Sequence, residues 1–129
     1  MKRVIPGLPM QLPVFAAPMF LISGPDLVLA ACKAGIIGAF PTPNARPIDV
    51  LESWMKQITE GLAQARDTQG ADTVGPWCAN LVTHSSNTRL PEDLELIARY
   101  KPPIVVTALG SPKPAIPIVQ AYGGLVFAD

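Results

Sequence analysis

Apolar positions fall into two patterns that take turns along the chain. Short continuous runs occupy 13–17 (PVFAA), 36–40 (IIGAF), 76–82 (PWCANLV), 102–109 (PPIVVTAL) and 125–129 (LVFAD). They are bounded by proline, glycine or polar residues and are too short for helices, so they read as buried strands. Between them the apolar residues recur with helical spacing. From Ile48 to Arg66, Val50, Leu51, Trp54, Met55, Ile58 and Leu62 share one face, and Glu52, Lys56 and Glu60 lie away from it. Trp54 and Met55 are core positions on this pattern. In 26–35 (DLVLAACKAG) a helix is marked at both ends. Ser23 offers a cap, Pro25 suits the first turn, Asp26 completes an S-x-x-D capping box, and Gly35 stands where a helix-ending glycine belongs. A short helix follows in 92–100 (EDLELIARY). The segment 110–124 (GSPKPAIPIVQAYGG) holds another, which Pro117 forces to be short or to start late.

The resulting order is βαβαβαβαβ. Strands apolar throughout, alternating with helices, predict an α/β fold built on a parallel sheet. Two architectures satisfy this, an open doubly wound sheet and a (β/α)8 barrel. A dinucleotide site of the first kind would place G-x-G-x-x-G after the first strand. Here the first strand is followed by Pro18-Met19. A barrel needs eight strands and about 250 residues. On that reading, 1–129 is the N-terminal portion of one barrel domain, its first five strands, with no second domain. The 15 prolines exceed twice the average usage of about 5%. They lie singly or in pairs at the joints between apolar segments, so they punctuate a fold rather than form a linker.

Composition narrows the partners. Hydrophobic residues make up 49% and charged residues 16%, with ten basic against ten acidic side chains. Neither nucleic acid nor an anionic membrane surface is expected from such a balance. The opening MKRVIPGLPMQLPVF carries a basic pair, but prolines interrupt its apolar residues, so no signal peptide is read. No apolar run approaches the roughly 20 residues of a membrane span, and a soluble cytoplasmic protein is expected. Cys32 and Cys78 match no metal or redox spacing and are expected as buried thiols. His84 is the single histidine, in the loop sequence VTHSSN, with Ser85, Ser86 and Asn87 as loop and cap residues. No Ser-His-Asp or Cys-His arrangement is supported.

Four blocks, in order, carry a resemblance: 13–47 (PVFAAPMFLISGPDLVLAACKAGIIGAFPTPNARP), 77–97 (WCANLVTHSSNTRLPEDLELI), 102–112 (PPIVVTALGSP) and 122–129 (YGGLVFAD). Together they resemble the N-terminal part of the nitronate monooxygenases, also called 2-nitropropane dioxygenases. The resemblance implies a TIM barrel that binds FMN, of which this chain would be roughly the first two-fifths. It implies oxidation of an alkyl nitronate or nitroalkane with O2, giving a carbonyl compound and nitrite. Cofactor contacts are implied at Ala17, Pro18 and Met19 (through backbone atoms at the methionine), at Asn80, and at Thr107 and Asp129 on the ends of the fourth and fifth strands. His84 is the histidine available to face a substrate. The family's catalytic histidine lies after the sixth strand, His84 does not match it, and no catalytic residue is carried over. The phosphate-binding loops of the family follow strands seven and eight. Related barrels act as NAD(P)H:quinone reductases or enoyl reductases. The non-catalytic alternative is an open half-barrel that self-associates, as a homodimer, through its strand edges.

Overall fold

The computed structural model describes residues 5–129; the basic pair Lys2-Arg3 lies outside them. Five strands and four helices alternate. They are β1 (Phe15–Ala16), α1 (Pro25–Lys33), β2 (Ile37–Pro41), α2 (Ile48–Gln69), β3 (Trp77–Val82), α3 (Leu90–Tyr100), β4 (Ile104–Ala108), α4 (Ile116–Ala121) and β5 (Leu125–Ala128). Single 3₁₀ turns occupy Thr42–Asn44 and Ala71–Thr73. No helix among the described residues is long and apolar enough to cross a membrane.

Proline explains how the helices start. Pro25, Pro91 and Pro117 sit in the first turns of α1, α3 and α4, and Pro47 immediately precedes α2. A first-turn residue has no intrahelical use for its N–H, and proline's fixed φ is already helical there. Pro117 thus delays α4 to Ile116, as the sequence predicts. The capping box does not form. Gly24 is the N-cap of α1 without a side-chain hydrogen bond, and Ser23 instead accepts the Met19 N–H at 2.8 Å. The C-terminal glycine does form its motif. Gly35 (φ +88°) donates to Cys32 O and Ile36 donates to Ala31 O, the paired bonds of a Schellman turn. β1 is shorter than expected because Pro13 has no N–H and the Val14 N–H turns back to Leu12 O at 2.8 Å.

All neighbouring strands are parallel, and the sheet order is β1-β2-β3-β4-β5. A doubly wound sheet reverses its strand order at a switch point. None exists among the five described strands. Right-handed crossovers between sequential strands place every helix on the same face. The side chains agree. Phe40, Trp77, Ala79, Leu81, Val105 and Val126 pack with residues of all four helices. Ile37, Ala39, Cys78, Ile104 and Val106 point the other way and meet no helix residue in their cluster. On the helix face Gly38 lets α1 approach, since a Cβ there would stand 2.4 Å from Val28 O.

The sheet is strongly curled. In a flat sheet β1 and β5 would lie four spacings apart, roughly 19 Å. Yet the rings of Phe15 on β1 and Phe127 on β5 meet edge to face, with centroids 6.1 Å apart. The face without helices is therefore concave. Its base, toward the amino ends of the strands, is plugged by Met10, which packs with Ile37, Ala39, Cys78 and Ile104 and is itself buried.

Candidate functional site

Above that plug the concave face opens into a cleft of about 390 Å³. It lies toward the carboxyl ends of the strands, where ligands bind in sheets of this construction because the loops there vary without disturbing the core. Phe15, Val106, Ala108 and Phe127 supply apolar walls, and Ala17 and Pro18 form the edge beyond β1. Two polar side chains reach it, Asn80 from β3 and Asp129 after β5. Asn80 Nδ2 donates to Val106 O at 3.1 Å, which fixes the amide and leaves Oδ1 as an acceptor. Asp129 is exposed and held by its backbone, whose N–H donates to Thr107 O at 2.9 Å. The cleft thus combines apolar walls with two acceptors, the mixture that small-molecule sites use.

Four of the six positions expected to hold a cofactor therefore share one cleft: Ala17, Pro18, Asn80 and Asp129. Thr107 does not join them. Side chains alternate along a strand, and Thr107 has the parity of Val105, on the helix face. It is fully buried, with its hydroxyl 3.5 Å from Phe127 O. Being at a strand end sets a residue's height but not its face. Met19 stands beside the cleft without lining it. Its N–H is taken by Ser23 Oγ, and its carbonyl already accepts from Ser23 N and from Asn44 Nδ2, both at 3.0 Å. The backbone N–H and carbonyl of Met19 are thus already engaged by Ser23 and by Asn44 of the loop after β2. His84 is exposed and does not line the cleft. Its Nδ1 accepts the Ser86 N–H at 3.1 Å and lies 2.8 Å from Ser86 Oγ, which makes it the closing residue of a surface turn.

The cysteines are inert by burial. Desolvation pushes Cys32 up to about 11 and Cys78 up to about 12, so neither supplies a thiolate near neutral pH. Sequence reading passed over Asn44, Arg89 and Asp93, which join the loops around the cleft. Arg89 Nε pairs with buried Asp93 at 2.7 Å. The same guanidinium donates to Ala45 O at 2.6 Å, to Thr42 O at 3.0 Å and to Arg46 O. Burial raises the Asp93 carboxyl despite the adjacent positive charge.

Fold and cleft define a singly wound parallel α/β protein with a ligand-sized opening at the carboxyl end of its sheet. No protein-family model matches the chain, and no curated protein matches it.

Proposed function

We propose that the chain forms the first five strand–helix units of a (β/α)8 barrel, and that its cleft belongs to an FMN-dependent oxidoreductase of the nitronate monooxygenase type. One observation carries this reading. Residues from three separate blocks of the resemblance, Ala17 and Pro18, Asn80, and Asp129, converge on a single cleft from β1, β3 and β5. The sequential strand order and the curl of the sheet suit a barrel, which continues both around a closed circle.

The residues fit the ring portion of a flavin. Pro18, Val106 and Phe127 would supply apolar contacts to the ring, and Asn80 Oδ1, which accepts no hydrogen bond among the described residues, would accept an N–H from its edge. Among the described residues no lysine or arginine lines the cleft, and on this reading the phosphate would be held outside these five units. When bound, the flavin supplies the electron chemistry that oxidises a nitronate and returns electrons to O2. The chain's own groups bind the ring and exclude water from its apolar face.

The test is titration of the purified chain with FMN, read by quenching of flavin fluorescence and by the visible spectrum. Saturation at one FMN per chain, weakened by Asn80→Leu, supports the reading, and O2 uptake with propyl-2-nitronate or with NAD(P)H then separates monooxygenase from reductase. A chain that takes up no FMN overturns it for these residues. A specific feature favours a second reading in that event. Leu12 and Val14 beside β1 and Phe127 on β5 are exposed at the two open edges. A self-associating half-barrel would cover them, and sedimentation would show a dimer.

A further inference from the structure

We infer that Asn44 is a positioning residue that holds the mouth of the cleft open. The loop after β1 turns Met19, Phe20, Leu21 and Ile22 outward, and these four apolar side chains are 42%, 60%, 69% and 70% exposed. Leu21 adopts φ +65°, a left-handed conformation that disfavours a branched side chain. Left to itself, such a loop would be free to relax its backbone and fold its apolar residues onto a neighbouring apolar surface. One such surface borders the loop at Pro18, the edge of the cleft; another, which Ile22 already lines, is formed with Leu27 and Trp54.

A single amide opposes this. Asn44 Nδ2 donates to Met19 O at 3.0 Å and to Ser23 O at 2.8 Å, and its Oδ1 accepts the N–H of Leu21 at 2.9 Å. All three bonds go to one five-residue loop, and one of them lands on the residue in the left-handed conformation. Asn44 is anchored in turn. Arg89 gathers the carbonyls of Thr42, Ala45 and Arg46, on both sides of it in the chain, and Asp93 orients Arg89. The loops after β1, β2 and β3 therefore act as one preformed rim, which spares a ligand the entropy of ordering it. The link to ligand affinity rests on the flavin reading of the cleft; the latch itself rests on the hydrogen bonds alone.

Hydrogen exchange of the ligand-free chain tests the latch. In Asn44→Ala the Leu21 amide should exchange about tenfold faster, the loss expected for its hydrogen bond. Ile58 in α2, which opens only with the whole fold, reports the accompanying loss of global stability and should accelerate by no more than Leu21 does. Arg89→Lys, which keeps the charge but loses the planar fork, should give a smaller change of the same pattern. FMN titration of Asn44→Ala should then show about tenfold weaker binding. An unchanged Leu21 amide, or Ile58 accelerating more than Leu21, overturns the latch. Faster Leu21 exchange with unchanged FMN affinity overturns its role in binding. If the wild-type chain binds no FMN, the flavin reading fails and the exchange result alone decides on the latch.

Discussion

The two faces of one sheet are finished to different degrees. On the convex face the chain supplies its own cover. Phe40, Leu81 and Val105 have no exposed surface and pack beneath the helices. On the concave face the cover ends at Met10. Below it Cys78 and Ile104 are fully buried, whereas above it Phe127 is 37% exposed and the cleft begins. The same strands contribute to both faces, so strand composition cannot be the cause. What differs is whether a second layer lies over them. A closed convex face stabilises the sheet, and an open upper concave face leaves room for a ligand at the strand ends.

The sharpest test of this contrast uses the two cysteines, which lie on opposite faces. Cys32 belongs to the convex core and Cys78 to the plugged base of the concave face. Both thiols are raised by burial, to about 11 and about 12. At pH 8 their thiolate fractions fall at least two orders of magnitude below that of a free cysteine near 8.5. Iodoacetamide labelling of the native protein should be slower by at least that factor at both sites and should become fast in urea. The sign for stability follows. A raised thiol pKa favours folding fully below the unfolded value, and that contribution is lost as pH rises through 11 to 12. Rapid labelling of Cys78 alone would mean that the concave base is open, and the contrast between base and mouth would fail.

Next in size are truncations in the two cores. Phe40 lies under α2, edge to face with Trp54 at 5.7 Å and stacked on Trp77 at 6.4 Å. Phe40→Ala should cost about 4 kcal/mol, measured by urea denaturation. Met10→Ala, at the concave base, should cost about 2–3 kcal/mol, since methionine is smaller and more adaptable. A negligible loss at Met10 would mean that the N-terminal segment covers the base without stabilising it.

The convex face was legible in the sequence because periodicity records burial against a neighbouring element. Leu51, Met55, Ile58 and Leu62 announce α2, and the structure buries all four. Parallel pairing was legible from the alternation of elements. The boundaries depended on finer chemistry, as Ser23 shows. Its spacing to Asp26 fits a cap, but its hydroxyl is used four residues earlier, at Met19. The site was legible only in part. Strand ends identify the height of the cleft, so Asn80 and Asp129 could be placed beside it. Face requires parity along the strand, which gives buried Thr107 the side of Val105 rather than that of Val106. Asn44 left no local signal, since its partners lie 21 to 25 residues away; Arg89 has a local partner in Asp93, four residues on, but the carbonyls it gathers lie 43 to 47 residues away. Only the fold brings those loops to the same rim.

The smallest effect is the most informative about the mouth. Phe127 and Phe15 meet across the concave face, at 6.1 Å and an interplanar angle of 69°. An edge-to-face pair adds about 0.5–1.5 kcal/mol beyond the area it buries. Here the area term is reduced, because Phe127 keeps more than a third of its surface in solvent. Phe127→Ala should therefore cost about 2 kcal/mol, about half of Phe40→Ala although the residue type is the same. A double-mutant cycle with Phe15→Ala should return a coupling of about the size of the aromatic pair. Absence of coupling would mean that the rings do not meet in solution and that the sheet is flatter than the structure has it. A cost near that of Phe40→Ala would mean that another layer already covers the mouth, either a second copy of the chain or the collapsed Met19–Ile22 loop. Sedimentation separates those two, since only the first doubles the mass.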